Sequence, residues 1–173
     1  GGAFARYLIG DMIRITSLRN ENLDIDIPQM VFDTRVDGLI DIAGFTRLTE
    51  QTIWQAIENS GLAYQDWTAR KEAGDRPILH LYLELKDGNG ETEEQIAEAI
   101  GRHLQRLDSD YSDLESMLGL KPLQVTLLPK GAFWEYISKQ RAAGADLAHL
   151  KPPHLNPSDA MVSTLLNSTS LKH

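Results

Sequence analysis

Along residues 77–85 (PILHLYLEL), Leu79, Leu81, Leu83 and Leu85 occupy every second position, with His80, Tyr82 and Glu84 between them. Side chains of a strand point alternately to its two faces, so this period of two predicts a strand with one apolar face. The period changes after Thr92, where Ile96, Ile100, Leu104 and Leu107 recur at i, i+4, i+8 and i+11. With Thr92 and Gln95 spaced as a capping box, this pattern predicts a helix. Strands are also predicted over residues 3–16, broken at Gly10, and over 29–36, 38–43, 63–70 and the stretch holding Leu123, Val125 and Leu127. Further helices are predicted from near Thr49 to Gly61 with Ile53, Trp54 and Ile57 as the apolar stripe, over 112–118, over 132–142 ending at Gly144, and near 158–167. Residues 17–26 read as a polar hairpin tip, 71–75 and 86–91 as turns, and AHLKPPHLNP, ending at Pro157, as irregular.

From residue 38 the order is β-α-β-β-α-β-α, which predicts an α+β fold. A small mixed or antiparallel sheet with packed helices is expected, ferredoxin-like and preceded by a β-ribbon. The domain expectation is a ribbon over 1–36 and a second domain over 37–173.

Composition narrows the function classes. Of the 173 residues 42% are hydrophobic, enough for a core, and the net charge of −8 argues against a general nucleic-acid or anionic-membrane surface. No cysteine is present, which excludes disulfides, thiolate catalysis and cysteine-ligated zinc and fits a reducing compartment. No apolar run approaches the roughly 20 residues of a membrane-spanning helix, and no signal-like segment opens the chain. A cytoplasmic location is therefore expected. Gly1-Gly2-Ala3-Phe4 runs directly into strand-like sequence and reads as a cut within a longer polypeptide.

Several residues bear chemistry. Asp11 follows Gly10 in a strand context, so its carboxylate either closes a turn or accepts hydrogen bonds from ribose hydroxyls. Arg35 presents a planar donor fork suited to phosphate or ribose oxygens, or pairs with Asp33 or Asp37. Asp37-Gly38 at the domain boundary suits a hinge or a simple turn. Gly44 lies in a loop between a strand and a helix, where a missing side chain admits a ligand close to backbone. His149 and His154 flank Lys151, but their spacing in a proline-rich loop is not a metal-ligand pattern, and no metal site is predicted. Trp54, Trp67, Phe133, Trp134 and Tyr136 read as core aromatics.

Taken together, Arg35, Asp37, an alternating segment, Gly44 and a following helix resemble the C-terminal domain of the adenylate-forming acyl- and aryl-ligase superfamily. Arg6-Tyr7-Leu8-Ile9-Gly10-Asp11 is similar to that superfamily's Tyr-X-X-Gly-Asp motif. At the far end, LPKGAFWEYISKQRAAGADLAHLKPPHLN, from Leu128 to Asn156, is similar to the ending of the auxin-responsive-promoter family of acyl-acid amido synthetases and their bacterial relatives. There a helix with Gly and Phe is followed by a Gly-Ala turn and a Lys-X-Pro segment. The resemblance covers nearly the whole chain. It departs at Thr34, usually glycine, at Gly38, often acidic, in a longer 17–28 connection, and at Pro153-His154, where plant-type sequences have Pro-Arg.

The resemblance implies a role for each residue. Asp11 would be the ribose ligand, Arg35 a nucleotide contact, Asp37 the hinge, Gly44 part of the loop facing the acyl acceptor, and Lys151 the catalytic lysine. Lys130, just before the helix-starting Gly131, is the competing lysine and reads as a turn residue. The chain would be the mobile lid of a phenylacetate-CoA-ligase-like enzyme, inactive alone, whose partner is the N-terminal adenylation domain of the same protein. The whole enzyme would use ATP and Mg²⁺ to adenylate a carboxylic acid and pass the acyl group to CoA or an amine, with no nucleic acid or membrane involved. Two other readings stand beside it: a stand-alone ferredoxin-like binding or regulatory module, and an interaction domain using the acidic 21–26 region.

Overall fold

The computed structural model describes residues 11–35, 38–42, 44, 46–72, 78–86, 90–119, 121–145 and 150–168. The chain forms two compact units, residues 1–39 and 40–173.

In the first unit, β1 (Asp11–Ser17) pairs antiparallel with β2 (Gln29–Arg35), and the register sets Asp11 opposite Arg35. The polar connection is pinned at its tip by an Asn20–Ile25 bridge. The ribbon carries exposed apolar side chains along its length, including Ile13, Ile15, Leu18, Leu23 and Ile27.

The second unit is built on a three-stranded sheet in the order β5-β6-β7. β5 (Tyr64–Glu72) and β6 (Ile78–Leu85) are antiparallel, and β7 (Leu123–Leu127) lies parallel to β6. A parallel neighbour needs a crossover. It is supplied by α2 (Glu93–Leu107) and α3 (Ser109–Leu118). Leu79, Leu81 and Leu83 on one face of β6 are fully buried against Ile96, Ile100 and Leu104 of α2 and Ile53, Ala56 and Ile57 of α1 (Glu50–Asn59). Each such aliphatic side chain contributes about 1.5–3 kcal/mol through burial. The opposite face is covered too. There Tyr82 packs with Phe133 of α4 (Ala132–Ala142) and with Met161, Val162 and Leu165 of α5 (Asp159–Leu166).

The α+β class with small mixed and antiparallel sheets is therefore observed, but the element order from Leu39 is β-β-α-β-β-α-α-β-α-α. One strand in it is additional to the expectation. β3 (Leu39–Ile42) turns at Gly44 into β4 (Thr46–Thr49), whose Thr46 and Leu48 are buried while Arg47 is exposed. Gly44 thus sits in a β-hairpin rather than between a strand and a helix. α3 also begins earlier than residue 112, because Asp108 accepts a 2.7 Å hydrogen bond from the Tyr111 amide and caps its first turn.

The aromatic expectation divides. Trp67 and Phe133 are buried, whereas Trp54 is 44% and Trp134 62% exposed. Each exposed tryptophan directly follows a buried helical residue, Ile53 or Phe133, and one residue turns about 100° around the helix. The stripe of α1 is accordingly Ile53, Ala56 and Ile57. Leu107, at the end of α2, is likewise 40% exposed.

The capping box at α2 is present in full: Oγ1 of Thr92 accepts from the Gln95 amide, and the Gln95 side chain accepts from the Thr92 amide at 2.9 Å. Thr92→Ala is expected to cost about 1 kcal/mol of stability, within the range for an N-cap loss. Urea unfolding followed by circular dichroism measures it.

Candidate functional site

Lys151 lies in a segment, residues 150–157, that has no repeating secondary structure yet is firmly placed. Leu150, Pro152, Leu155 and Pro157 are buried, while Lys151, Pro153 and Asn156 are exposed. Leu155 forms a parallel bridge to Ala69, so the segment runs along the open edge of β5. Two backbone bonds make that bridge. The Ala69 amide donates to the His154 carbonyl and the Asn156 amide to the Ala69 carbonyl, both at 2.8 Å. Thr68, buried beneath, donates its hydroxyl to the Pro153 carbonyl at 2.8 Å. Asn156 turns the chain away with φ of 53°, a conformation asparagine tolerates, and Ser158 then caps α5.

The side chain of His154 closes this attachment. Its Nδ1 lies 2.7 Å from Oε1 of Glu50, the first residue of α1, and its Nε2 lies 3.0 Å from Oδ1 of Asp66 in β5. The ring stacks on Trp67 with centroids 4.6 Å apart and planes 15° from parallel. Carboxylates only accept hydrogen bonds, so both contacts are satisfied together when the ring is an imidazolium with hydrogen on each nitrogen. Foremost the hydrogen bond to Asp66, and also that to Glu50, raises its pKa above the ordinary histidine value, against the opposing effect of burial.

A second polar cluster occupies the other side of the sheet. Glu72 accepts from Arg70 at 2.9 Å and from the Tyr82 hydroxyl at 2.9 Å, and lies 3.0 Å from Nδ1 of His80. Nε2 of His80 lies 2.8 Å from the Thr126 hydroxyl. Burial, then the Glu72 hydrogen bond, pushes Tyr82 up to about 12. Arg70 also pairs with Asp159 at 2.6 Å, which ties the start of α5 to β5. This network joins β5, β6, β7 and the start of α5. Beside Asp66 lies a groove of about 610 Å³ lined by Glu84, Lys86, Lys130, Phe133 and Trp134 among others.

Of the residues singled out in the sequence, Asp11 and Arg35 are brought together as backbone partners at one end of the ribbon. Asp37 and His149 lie outside the described residues. Gly44 adopts φ of +69°, and its amide donates to Oδ1 of Asp41 at 2.6 Å. A Cβ placed there would meet nothing within 4 Å, so the turn's left-handed backbone accounts for the glycine. Lys130 occupies a turn ahead of α4 and is exposed. Among the described residues no group of three or more histidine, aspartate or glutamate side chains is placed to hold a metal ion, and no helix is long and apolar enough to cross a membrane.

The roles of two residues escaped the sequence reading. In the sequence His154 stands out as a rejected metal ligand and as a departure from the plant-type Pro-Arg pair, and its partners Glu50 and Asp66 are 104 and 88 residues away. Glu84, 3% exposed, accepts from the Gly131 and Phe133 amides and caps α4 from a neighbouring strand. A signal for it existed: the helix start, Lys130-Gly131-Ala132, contains no side chain that caps, so an acceptor had to come from elsewhere.

Comparison with known proteins adds a family. Residues 48–160 match the GH3 family C-terminal domain. A jasmonoyl-L-amino acid synthetase of Oryza sativa subsp. japonica, GH3.5, is 24% identical over 170 residues, which cover 94% of this chain and 28% of that protein. Two structures of the acyl acid amido synthetase GH3.15, one in complex with 2,4-DB, share the fold. They superpose with TM-scores of 0.56 and 0.60 at 18% identity, over 91% of this chain and 29% and 30% of theirs. The chain thus spans under a third of the length of these relatives.

Proposed function

The chain belongs to the GH3 family, whose C-terminal domain its residues 48–160 match, and from that premise we propose that it is the lid of an ATP-dependent acid ligase of the adenylate-forming superfamily. The first half-reaction joins a carboxylate oxygen to the α-phosphorus of ATP and breaks the bond to pyrophosphate. The second transfers the acyl carbon to an acceptor and releases AMP. The relatives are described as amido synthetases, which favours an amine as acceptor over the thiol of CoA.

Within this reading Lys151 acts in the first step. Negative charge builds on the phosphoryl oxygens, and an ammonium placed there stabilises the transition state more than the ground state. The observation that carries the assignment is the way the segment around Lys151 is anchored: Leu150, Pro152 and Leu155 are buried and Leu155 bridges to β5, while Lys151 stays exposed. A lysine mounted in this manner is reachable by a substrate held elsewhere, and its backbone is already fixed before it engages. Asp11 and Arg35, opposite each other in the ribbon, have the chemistry to bind ribose hydroxyls and a nucleotide oxygen. Mg²⁺ would neutralise charge on the phosphates. Asp37 is the hinge about which the Lys151-bearing unit turns between the half-reactions, and the Gly44 hairpin faces the acceptor.

The test is acid-dependent pyrophosphate release by the polypeptide that carries this chain, supplied with ATP, Mg²⁺ and a panel of aryl and aliphatic acids, with amino acids and CoA as acceptors. Release stimulated by at least one acid, followed by amide or thioester formation, is expected. Release that no acid raises above the ATP-only background contradicts the proposal.

A further inference from the structure

The hydrogen bonds described above that hold the Lys151 segment to the sheet lie at Pro153, His154 and Asn156, while Leu150 and Pro152 add apolar packing. Between these bonds and Lys151 stand Pro152 and Pro153, whose rings fix φ, and each X-Pro junction restricts the residue before it to extended backbone. The direction of the chain at His154 is therefore transmitted to Lys151 through few soft dihedrals.

We propose that His154 is the positioning residue for Lys151: its imidazole, clasped between Glu50 and Asp66 and stacked on Trp67, fixes the Lys-Pro-Pro segment on the β5 edge and loosens it when the ring loses a proton. The proposal rests on the role assigned to Lys151 above, but the clasp itself is a feature of the 150–157 segment. Among the described residues the titratable groups paired with the ring, Glu50 from α1 and Asp66 from β5, are both carboxylates. A neutral imidazole has one N–H and one lone pair. On deprotonation one carboxylate loses its donor and faces a lone pair instead, so one arm of the clasp changes from attraction to repulsion.

The sign of the pH dependence follows. The native pKa is raised, so the hold is fully present below the unfolded value of about 6.5 and is lost as pH rises through the raised native value. The strength of the hold grows about tenfold for each unit by which the fold raises that pKa.

Amide hydrogen exchange in the 173-residue chain tests this, because the Asn156 and Ala69 amides form the bridge that secures the segment. Protection relative to the intrinsic exchange rate is followed from about pH 5 to about pH 9, a range spanning histidine titration. Wild type is expected to be protected in acid and to lose protection through a single step on the alkaline side. His154→Gln is expected to be less protected in acid and to show no step. His154→Arg keeps a permanent charge, several donors and a planar group that stacks on indole. It is expected to stay protected with a flat profile. A flat wild-type profile, or equal protection in wild type and His154→Gln, overturns the proposal.

In the parent ligase, His154→Gln is expected to lower kcat for pyrophosphate release about 10- to 100-fold, the scale of a misplaced group, with KM for the acid unchanged. His154→Arg restores kcat and removes its alkaline decline. An intact exchange step alongside full adenylation by Lys151→Ala contradicts the proposed function of Lys151 and leaves the clasp standing. Loss of adenylation in Lys151→Ala with no exchange step does the reverse.

Discussion

Lys151→Ala is expected to slow acid-dependent pyrophosphate release by the proposed ligase that carries this chain about 10²- to 10³-fold. That magnitude corresponds to the ~2.7–4 kcal/mol typically lost when one preorganised donor is removed from a developing oxyanion. The loss should fall on kcat. A group that meets the phosphoryl oxygens chiefly in the transition state contributes little to ground-state binding, so KM for the acid should change little. The fold should not suffer, because Lys151 is exposed and the packing of its segment is carried by Leu150, Pro152 and Leu155. The corresponding change at Lys130, a turn residue ahead of α4, is expected to leave pyrophosphate release within a few-fold of wild type, the scale of a mutation that removes no transition-state contact. Parallel measurement of the two variants decides which lysine acts.

The largest effect on stability away from the apolar core is expected at Glu84. α4 starts at Gly131, which has φ of 87° and no side chain to cap with. Glu84 meets that need from β6: Oε1 accepts from the Gly131 amide at 2.6 Å and Oε2 from the Phe133 amide at 3.0 Å. A carboxylate there also faces the positive end of the helix dipole. Glu84→Ala leaves the part-buried Gly131 amide and the buried Phe133 amide without this acceptor, at about 1–3 kcal/mol for a donor left unsatisfied. It is expected to destabilise the chain by about 3 kcal/mol. Glu84→Gln retains one carbonyl acceptor and turns an amide group toward the other N–H. It should cost less than the alanine change but more than 1 kcal/mol, the cost of one unsatisfied buried donor. Urea unfolding gives both values, and amide exchange in α4 should accelerate before that in α2. A cost below ~1 kcal/mol for Glu84→Ala would show that the cap contributes little.

Most of the secondary structure was legible because it is periodic. The leucines of β6 and the stripe and capping box of α2 each satisfy one rule over several residues, and the structure shows both elements, with Leu107 alone of the stripe exposed. β4 was not, because Thr46 to Thr49 offers only two buried positions and runs straight into the N-cap of α1. The tryptophans misled for the same reason in reverse. Their size argues for burial, but the turn of the helix places Trp54 and Trp134 beside the stripe rather than in it.

The site was legible only where it is local. Thr92 could be picked out because its cap partner is three residues away, whereas Lys151 is a candidate that rests on a contiguous Lys-Pro-Pro and its resemblance to a family ending. The clasp joins positions 50, 66 and 154, and the α4 cap joins 84 to 131 and 133. Neither pairing leaves a spacing to read, since tertiary contacts between distant segments follow from the topology of the sheet. Asp11 and Arg35 are an intermediate case: each was singled out alone, and the antiparallel register makes them neighbours.

In the proposed function Lys151 serves the adenylation step and not the transfer step. The most direct measurement separates the two in one variant. Lys151→Ala of the full ligase is assayed once for pyrophosphate release from ATP and acid, and once for product formation from chemically prepared acyl-adenylate and acceptor. The account predicts loss of the first by about 10²-fold or more with the second within a few-fold of wild type. Equal loss of both half-reactions, or loss of neither, would contradict it.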